Sequence, residues 1–367
     1  MRLYSMVALF CAFLATPAFA SRSTYRNAHP VGWMHLLPVG ESPGWPSPVW
    51  AEFEINHANI WNMDMTMTDR RTGDVYRYAA DFEQSSIIFN MGFQLSERWA
   101  LSFELPYANR NGGFMDDFID QFHIAINSDR FLRHLNDGFG NSFTVQKNGE
   151  NQLASQRSEG LGGAKVKLKW WMWKWLSTSP GACDCGLAFS GQVKFPTQAR
   201  KFGLSSGNND YSGLVHLGIP IGKSSSAKMT AAFTKLGPND TFGEWPRREW
   251  LQMYELALDL GVGSRFGFLL GARVESPLFM QEHLNYNFTY IDQDAQRAER
   301  IASGWNSLTA WRGSQNLGFR WRWARGTEAN LMIVEDWGTG KRDGRSDWLY
   351  VNNAPDVAIV SQWHFVF

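Results

Sequence analysis

Twelve times along this chain, apolar residues fall at every second position over runs of about ten residues. A two-residue period gives a strand one greasy face and one polar face. No helical period of comparable strength runs through the body. The final run is the most informative. Phe367, Phe365 and Trp363 alternate with Val366, His364 and Gln362, and the alternation continues inward through Ile359 and Val357. The chain therefore ends on an aromatic at the tip of an amphipathic strand. A chain built this way folds as an all-β protein. What remains is whether its greasy face meets a protein core or a membrane.

The other end of the chain decides this. Arg2, the apolar stretch Met6–Leu14 and the small residues Ala18 and Ala20 before Ser21 form a secretory signal over residues 1–20. Cys11 sits within the apolar stretch, so a lipoprotein anchor is not expected. No later stretch has the apolar length of a membrane-spanning helix. An exported chain of amphipathic strands with a C-terminal aromatic is most simply a single transmembrane antiparallel β-barrel of the bacterial cell outer membrane. Trp363, Phe365 and Phe367 then serve as its assembly signal for the barrel-assembly machinery.

Read in order, the strands are Val49–Ile60, Gln84–Leu95, a third beginning at Trp99, Gly163–Trp175, Gly186–Phe195, Tyr211–Ile221, Ala227–Leu236, Trp250–Leu260, Phe266–Glu275, Ser314–Trp323, Glu328–Glu335 and Pro355–Phe367. Connections after the even-numbered runs are short and those after the odd-numbered runs are longer. Short periplasmic turns and longer extracellular loops produce that alternation in an even-stranded barrel. The 18 Trp and 26 Phe suit aromatic girdles at the two membrane interfaces.

Residues 21–48 hold Pro30, Pro38, Pro43, Pro46 and Pro48 and no alternation. Prolines are poor ladder residues, so this segment reads as an N-terminal arm, periplasmic or luminal. The barrel spans 49–367. Its longest loop, 108–161, carries Phe114, Phe118, Phe122 and Ile126 at four-residue spacing, one stripe of a short helix. That helix plugs the lumen, caps the mouth or lies at the membrane surface.

Several stretches resemble a known family. They are Ser96-Glu-Arg-Trp-Ala-Leu-Ser-Phe-Glu-Leu-Pro106, then Asn111-Gly-Gly-Phe-Met-Asp-Asp-Phe-Ile-Asp-Gln-Phe-His123, then Val193-Lys-Phe-Pro-Thr197, Ser206-Gly-Asn-Asn-Asp210 and Glu335-Asp336. Together they are similar to an uncharacterised family of proteobacterial outer-membrane proteins, a domain of unknown function (DUF3187-like). The resemblance runs from about Arg26 to the C-terminus. It implies an outer-membrane barrel and brings no substrate and no catalytic residues.

The 35 basic and 35 acidic residues balance, so neither nucleic acid binding nor an acidic tail is expected. Phase assigns Lys165, Lys167, Lys169, Lys194, Arg273, Arg320 and Arg322 to the lumen, with Glu104 and Glu275, and less firmly Glu335, as inward acids. Inward charge requires water or a partner. One reading is a wet lumen whose basic stripe favours a small anionic solute. The other is ion pairing with loop acids such as Asp116, Asp117 and Asp120.

Asp120 and His123 share a helix face, but a lone Asp-x-x-His pair makes no metal site. Cys183 and Cys185 lie in a turn, where a local disulfide is expected over a metal pair, and no cofactor is expected. An outer-membrane hydrolase would need Ser, His and an orienting Asn or Asp converging in space. His57 and Asn59 share a side of the first strand, but no Gly-x-Ser-x-Gly elbow is present. Three functions stay open: a narrow channel or small-molecule transport barrel, a lipid-active enzyme of the outer leaflet, and a structural barrel with a filled lumen.

Overall fold

The structure is a computed structural model. It describes residues 25–45, 47–125, 142–155, 158–174, 185–198, 202–221, 224–239, 245–263, 265–280, 284–287, 311–324, 327–342, 345–350 and 357–367. Residues 1–20, expected from the sequence to be a secretory signal, fall outside them.

The strands are β1 (Val49–Asp69), β2 (Val75–Ser96), β3 (Trp99–Asn111), β4 (Ser142–Lys147), β5 (Glu150–Ser155), β6 (Ser158–Leu161), β7 (Ala164–Lys174), β8 (Gly186–Phe195), β9 (Asp210–Pro220), β10 (Ser226–Lys235), β11 (Trp250–Val262), β12 (Phe266–Glu275), β13 (Leu284–Asn287), β14 (Arg312–Ala324), β15 (Thr327–Arg342), β16 (Arg345–Tyr350) and β17 (Val357–Val366). Twelve of these form the wall: β1, β2, β3, β7, β8, β9, β10, β11, β12, β14, β15 and β17. Each pairs antiparallel with the next. β17 pairs with β1, with Phe365 opposite Ala51 and Ile359 opposite His57, so the barrel is closed. Closure leaves no strand edge unpaired in lipid, as a membrane requires.

All twelve expected strands are present. The connections differ from expectation at the extracellular end. The first is no long loop: β1 and β2 run on until Arg70–Asp74 alone joins them. The 108–161 segment holds a helix, Met115–Ala125, and the β4–β5 hairpin, which pairs with the upper part of β2. β16 extends β15 in the same way, and β13 pairs with the top of β1.

A change of pattern within β2 explains why these strands continue. From Ile87 to Phe93 the odd residues are apolar and face outward, while Ser86 and Asn90 face inward. From Tyr76 to Phe82 the even residues are apolar and face inward, while Arg77 faces out. Below the change the barrel is jacketed for lipid. Above it the barrel is built like a soluble protein, greasy inside and polar outside. Tyr78, Phe82, Phe143, Val145 and Leu153 form that upper core, and Tyr25, Met34 and Leu37 of the arm join it.

Outward aromatics mark both edges of the lipid jacket. At the short-turn end, Trp99 stacks on Trp170 and Trp170 on Phe189, each pair with centroids 6.0 Å apart, and Phe266 stacks on Trp321 at 6.2 Å. Tyr107, Tyr211 and Trp250 stand outward at the other end. From Trp99 to Tyr107 along β3 is a rise of about 20 Å at ordinary strand rise and barrel tilt.

The arm lies inside. Trp45 sits against Trp171 near the short-turn end. The chain climbs to Met34 and Leu36 beside the upper ends of β8 and β9, makes one short helix, Pro30–Met34, and returns to Arg26 and Tyr25 at mid-wall. A segment this short cannot bury its apolar residues against itself. The wall supplies its partners.

Candidate functional site

Three lysines one strand-period apart on β7 face the lumen, and each ends on a carboxylate. Lys165 reaches Glu104 of β3 at 3.0 Å. Lys167 and Lys169 both reach Glu41 of the arm, the latter at 2.9 Å, and Lys169 also donates to the carbonyls of Ser42 and Gly44. Glu104 is shared with Arg26 of the arm at 2.5 Å. The arm carbonyl of Arg26 accepts from Asn56 at 2.9 Å, and its amide donates to Glu54 at 3.2 Å.

A second anchor lies higher. Lys194 is fully buried and makes an ion pair with Asp210 at 2.8 Å while donating to the Met34 carbonyl and to Ser206. The Asp210 carboxylate also accepts from the Leu36 amide at 2.8 Å and stands 3.4 Å from His35 Nδ1. Burial holds the imidazoles of His35 and His29 below the ordinary histidine range. Nearby Arg312 and Arg110 lower His29 further, whereas Asp210 partly offsets the effect at His35.

A third anchor faces it. Arg273 pairs with Glu275, and with Glu255 at 3.6 Å, and donates to the Tyr25 carbonyl. Arg312 reaches Glu275 at 3.2 Å. The Gly40 amide donates to Glu255, and a Cβ at Gly40 would collide with that carboxylate, so the arm passes closest to the wall where it has no side chain. Burial raises the Tyr25 hydroxyl above the ordinary tyrosine range. Arg320 pairs with Asp259, and Arg322 with Glu328 at 2.7 Å.

Of the seven basic residues assigned inward by phase, six are buried, as are Glu104 and Glu275, and Arg322, partly exposed, meets buried Glu328. They do not form an uncompensated stripe. Among the described residues their partners are acids of the wall and arm. Asp117 is exposed, and the side chains of Asp116, Asp120 and His123 lie outside the described set. Glu335 is a correction. It shares the outward phase of Leu331 and Ile333 and lines a lipid-side groove with Leu270 and Leu317. Cys185 is disulfide-bonded, and Cys183 lies outside the described residues.

Sequence reasoning missed Asp210, Asp259, Glu255 and Glu328. Each is an acid at an inward phase, legible by the same alternation that located the lysines. It also missed Arg110, which donates to Gln84 and to the carbonyls of Phe202 and Gly203 while lying over the Phe82 and Phe143 rings. No periodicity marks Arg26 or Glu41 in the arm. Between arm and wall, at the short-turn end, Glu41, Lys167, Lys169 and His364 line a cavity together with Trp45 and Trp50.

The family described as a protein of unknown function, DUF3187, matches residues 34–238, more than half of the chain and including both the arm's upper limb and the lysine strand. The chain belongs to the DUF3187 family. A comparison with curated proteins finds no match in sequence. Among solved structures, the COG4313 outer membrane channel from Pseudomonas putida F1 is 12% identical, with 91% of this chain and 100% of that one covered and a TM-score of 0.51. The NanC porin is 8% identical over 86% of this chain and 100% of its own, with a TM-score of 0.39. A Pseudomonas aeruginosa FadL homologue is 10% identical over 96% and 100%, with a TM-score of 0.37. At these identities the likeness is one of fold. This member of the family is a twelve-stranded barrel of the bacterial outer membrane.

Proposed function

We propose that the barrel passes a small molecule across the outer membrane and that its N-terminal arm is the gate. One observation carries this reading. The arm crosses the lumen on polar contacts, with Glu41, Arg26 and the Met34–Leu36 backbone each held by wall charges. A barrel that needed only to be filled would be sealed more cheaply by apolar side chains, because buried ion pairs contribute little net stability. These polar contacts exchange readily for water, while Tyr25, Trp33, Met34, Leu37 and Trp45, packed in apolar clusters with the wall, hold the arm closed at rest. The likeness in fold to an outer-membrane channel supports the same reading.

The path runs along β7, where Lys165, Lys167 and Lys169 face the arm. With the arm displaced, Glu41 leaves with it, and Lys167 and Lys169 lose their shared counter-charge. The open lumen then favours a small anionic solute on that side. The test is conductance in planar bilayers. The full chain gives low conductance with rare openings. Removal of residues 25–45 gives steady conductance with anion preference, and charge reversal of Lys167 and Lys169 abolishes the preference. Equal, negligible conductance of both forms, with the barrels folded, refutes the gate.

A further inference from the structure

The outer surface of the barrel carries a second group of polar residues, apart from the lumen. His57 on β1 stands directly opposite Ser85 on β2, and both side chains face outward. Ser85 Oγ lies 2.8 Å from His57 Nδ1, and His57 Nε2 lies 2.9 Å from Glu83 Oε2. Glu83 is buried although its phase is outward, because the helix Met115–Ala125 lies over it. Its second oxygen accepts from the Met115 amide, and Gly113 has no Cβ to collide with the carboxylate. The Phe114 ring stacks on the His57 imidazole at 5.7 Å and 11°. Ser85 itself is exposed.

The tautomer follows from the partners. A carboxylate accepts only, so Nε2 carries the imidazole proton and donates it to Glu83. Nδ1 is then free to accept the Ser85 hydroxyl proton. Hydroxyl, imidazole and carboxylate are in series, the arrangement that makes serine a nucleophile, recognised by roles and distances and not by sequence order.

Position names the substrate class. Ser85 and His57 sit where the β2 pattern changes from lipid-facing to water-facing. Ile87 and Ile55, one strand-period below on the same face, are about half exposed to lipid. Phe114 and Phe118 of the covering helix are exposed beside them. The acyl ester carbonyls of membrane lipids lie at this boundary between hydrocarbon and headgroup.

We propose that Ser85, His57 and Glu83 form an acyl-ester hydrolase site on the outer rim of the barrel, acting on a lipid of the outer leaflet. Ser85 Oγ attacks the ester carbonyl carbon as its proton passes to His57 Nδ1. The bond from the carbonyl carbon to the alcohol oxygen breaks, and that oxygen takes the proton from His57. Water then attacks the acyl-Ser85 ester and gives its proton to His57, which returns it to Ser85 as the fatty acid leaves. Glu83 positions the imidazole and balances its charge during each transfer. The net reaction consumes one lipid ester and one water.

The test uses the full chain refolded in detergent, with the folded state checked by heat-modifiable gel mobility. A fluorophosphonate probe should label Ser85, located by mass spectrometry. Acyl release is followed from vesicles of phosphatidylethanolamine and phosphatidylglycerol and, separately, from lipopolysaccharide. Release from the first identifies a glycerophospholipid ester, and release from the second an ester of lipopolysaccharide. Ser85→Ala and His57→Phe should each lower turnover by about 100-fold or more, as loss of the nucleophile or its base does. Glu83→Gln should lower kcat more than it raises KM, and Glu83→Asp should restore part of it. If folded wild-type protein releases no more acyl chain than Ser85→Ala from either vesicle, the cluster is a brace for the helix and the proposal is wrong.

Discussion

Glu41 of the arm and Lys169 of the wall lie 2.9 Å apart inside the barrel, and Lys167 meets the same carboxylate. One acid thus holds two lysines, each less than a tenth exposed. Glu41→Gln removes the carboxylate that both ammonium groups share. Breaking a buried pair by removing one partner costs about 3–5 kcal/mol, and here the loss falls on arm docking, because the wall keeps its strand hydrogen bonds. The expected outcome is an arm cut by added chymotrypsin, at Trp33, Leu36 or Leu37, while the barrel stays intact on a gel. An arm as resistant as in the wild type would show that Glu41 does not hold it.

Acid should loosen the arm in the same way. His29 and His35 are held below the ordinary histidine range by burial. His29 faces Arg110, Arg312 and Tyr78; His35 faces Asp210, Lys194, Arg247 and Asn239. With the arm out, both return to about 6.5. The released state therefore binds more protons than the docked state, and docking weakens as pH falls below about 6.5. Conductance recorded between pH 7.5 and 5 should rise toward acid, and His29→Gln with His35→Gln should flatten the dependence.

The barrel was legible because a membrane writes a two-residue period into every strand. Val166, Leu168 and Trp170 against Lys165, Lys167 and Lys169 located β7 and its facing in one stroke. The upper walls were missed because their pattern is inverted. Tyr76, Tyr78 and Phe82 alternate as well as any strand does, but their greasy face points inward, so in the sequence they read as a break in the lipid pattern. The arm was recognised as lacking strands. Its contacts were not legible, because Arg26 and Glu41 follow no period and find their partners only once the wall has closed. The Ser85–His57 pair depends on strand register, which places them opposite each other across 28 residues. No local motif marks it.

Lys194 and Asp210 supply a test of the upper anchor. Both are fully buried, on neighbouring strands, and Asp210 also accepts from the Leu36 and Gly237 amides. Asp210→Ala strands the ammonium and two amide donors together. The expected loss is at least the about 3–5 kcal/mol of a broken buried pair, read as a lower urea midpoint for the folded barrel in vesicles. Lys194→Met in the same background should recover part of the loss, because it removes the stranded charge.

The lipid jacket makes the sharpest prediction of orientation. Phe103 of β3 is outward and well exposed, near the middle of the belt, while its neighbour Ser102 faces the lumen beside Lys167. An arginine at the bilayer midplane costs about 2–4 kcal/mol, because no water reaches the guanidinium there. Phe103→Arg should therefore lower unfolding stability by about that amount. Leu105→Arg, one strand-period nearer the outer rim, should cost less, because the longer side chain snorkels to the headgroups. Unfolding in urea from vesicles of defined thickness measures both. A reversed order, with Leu105→Arg the costlier, would place the hydrocarbon midplane higher on the barrel. His57 and Ser85 would then lie among acyl chains and not at their ester carbonyls, so the same pair of variants also fixes the depth on which the rim chemistry depends.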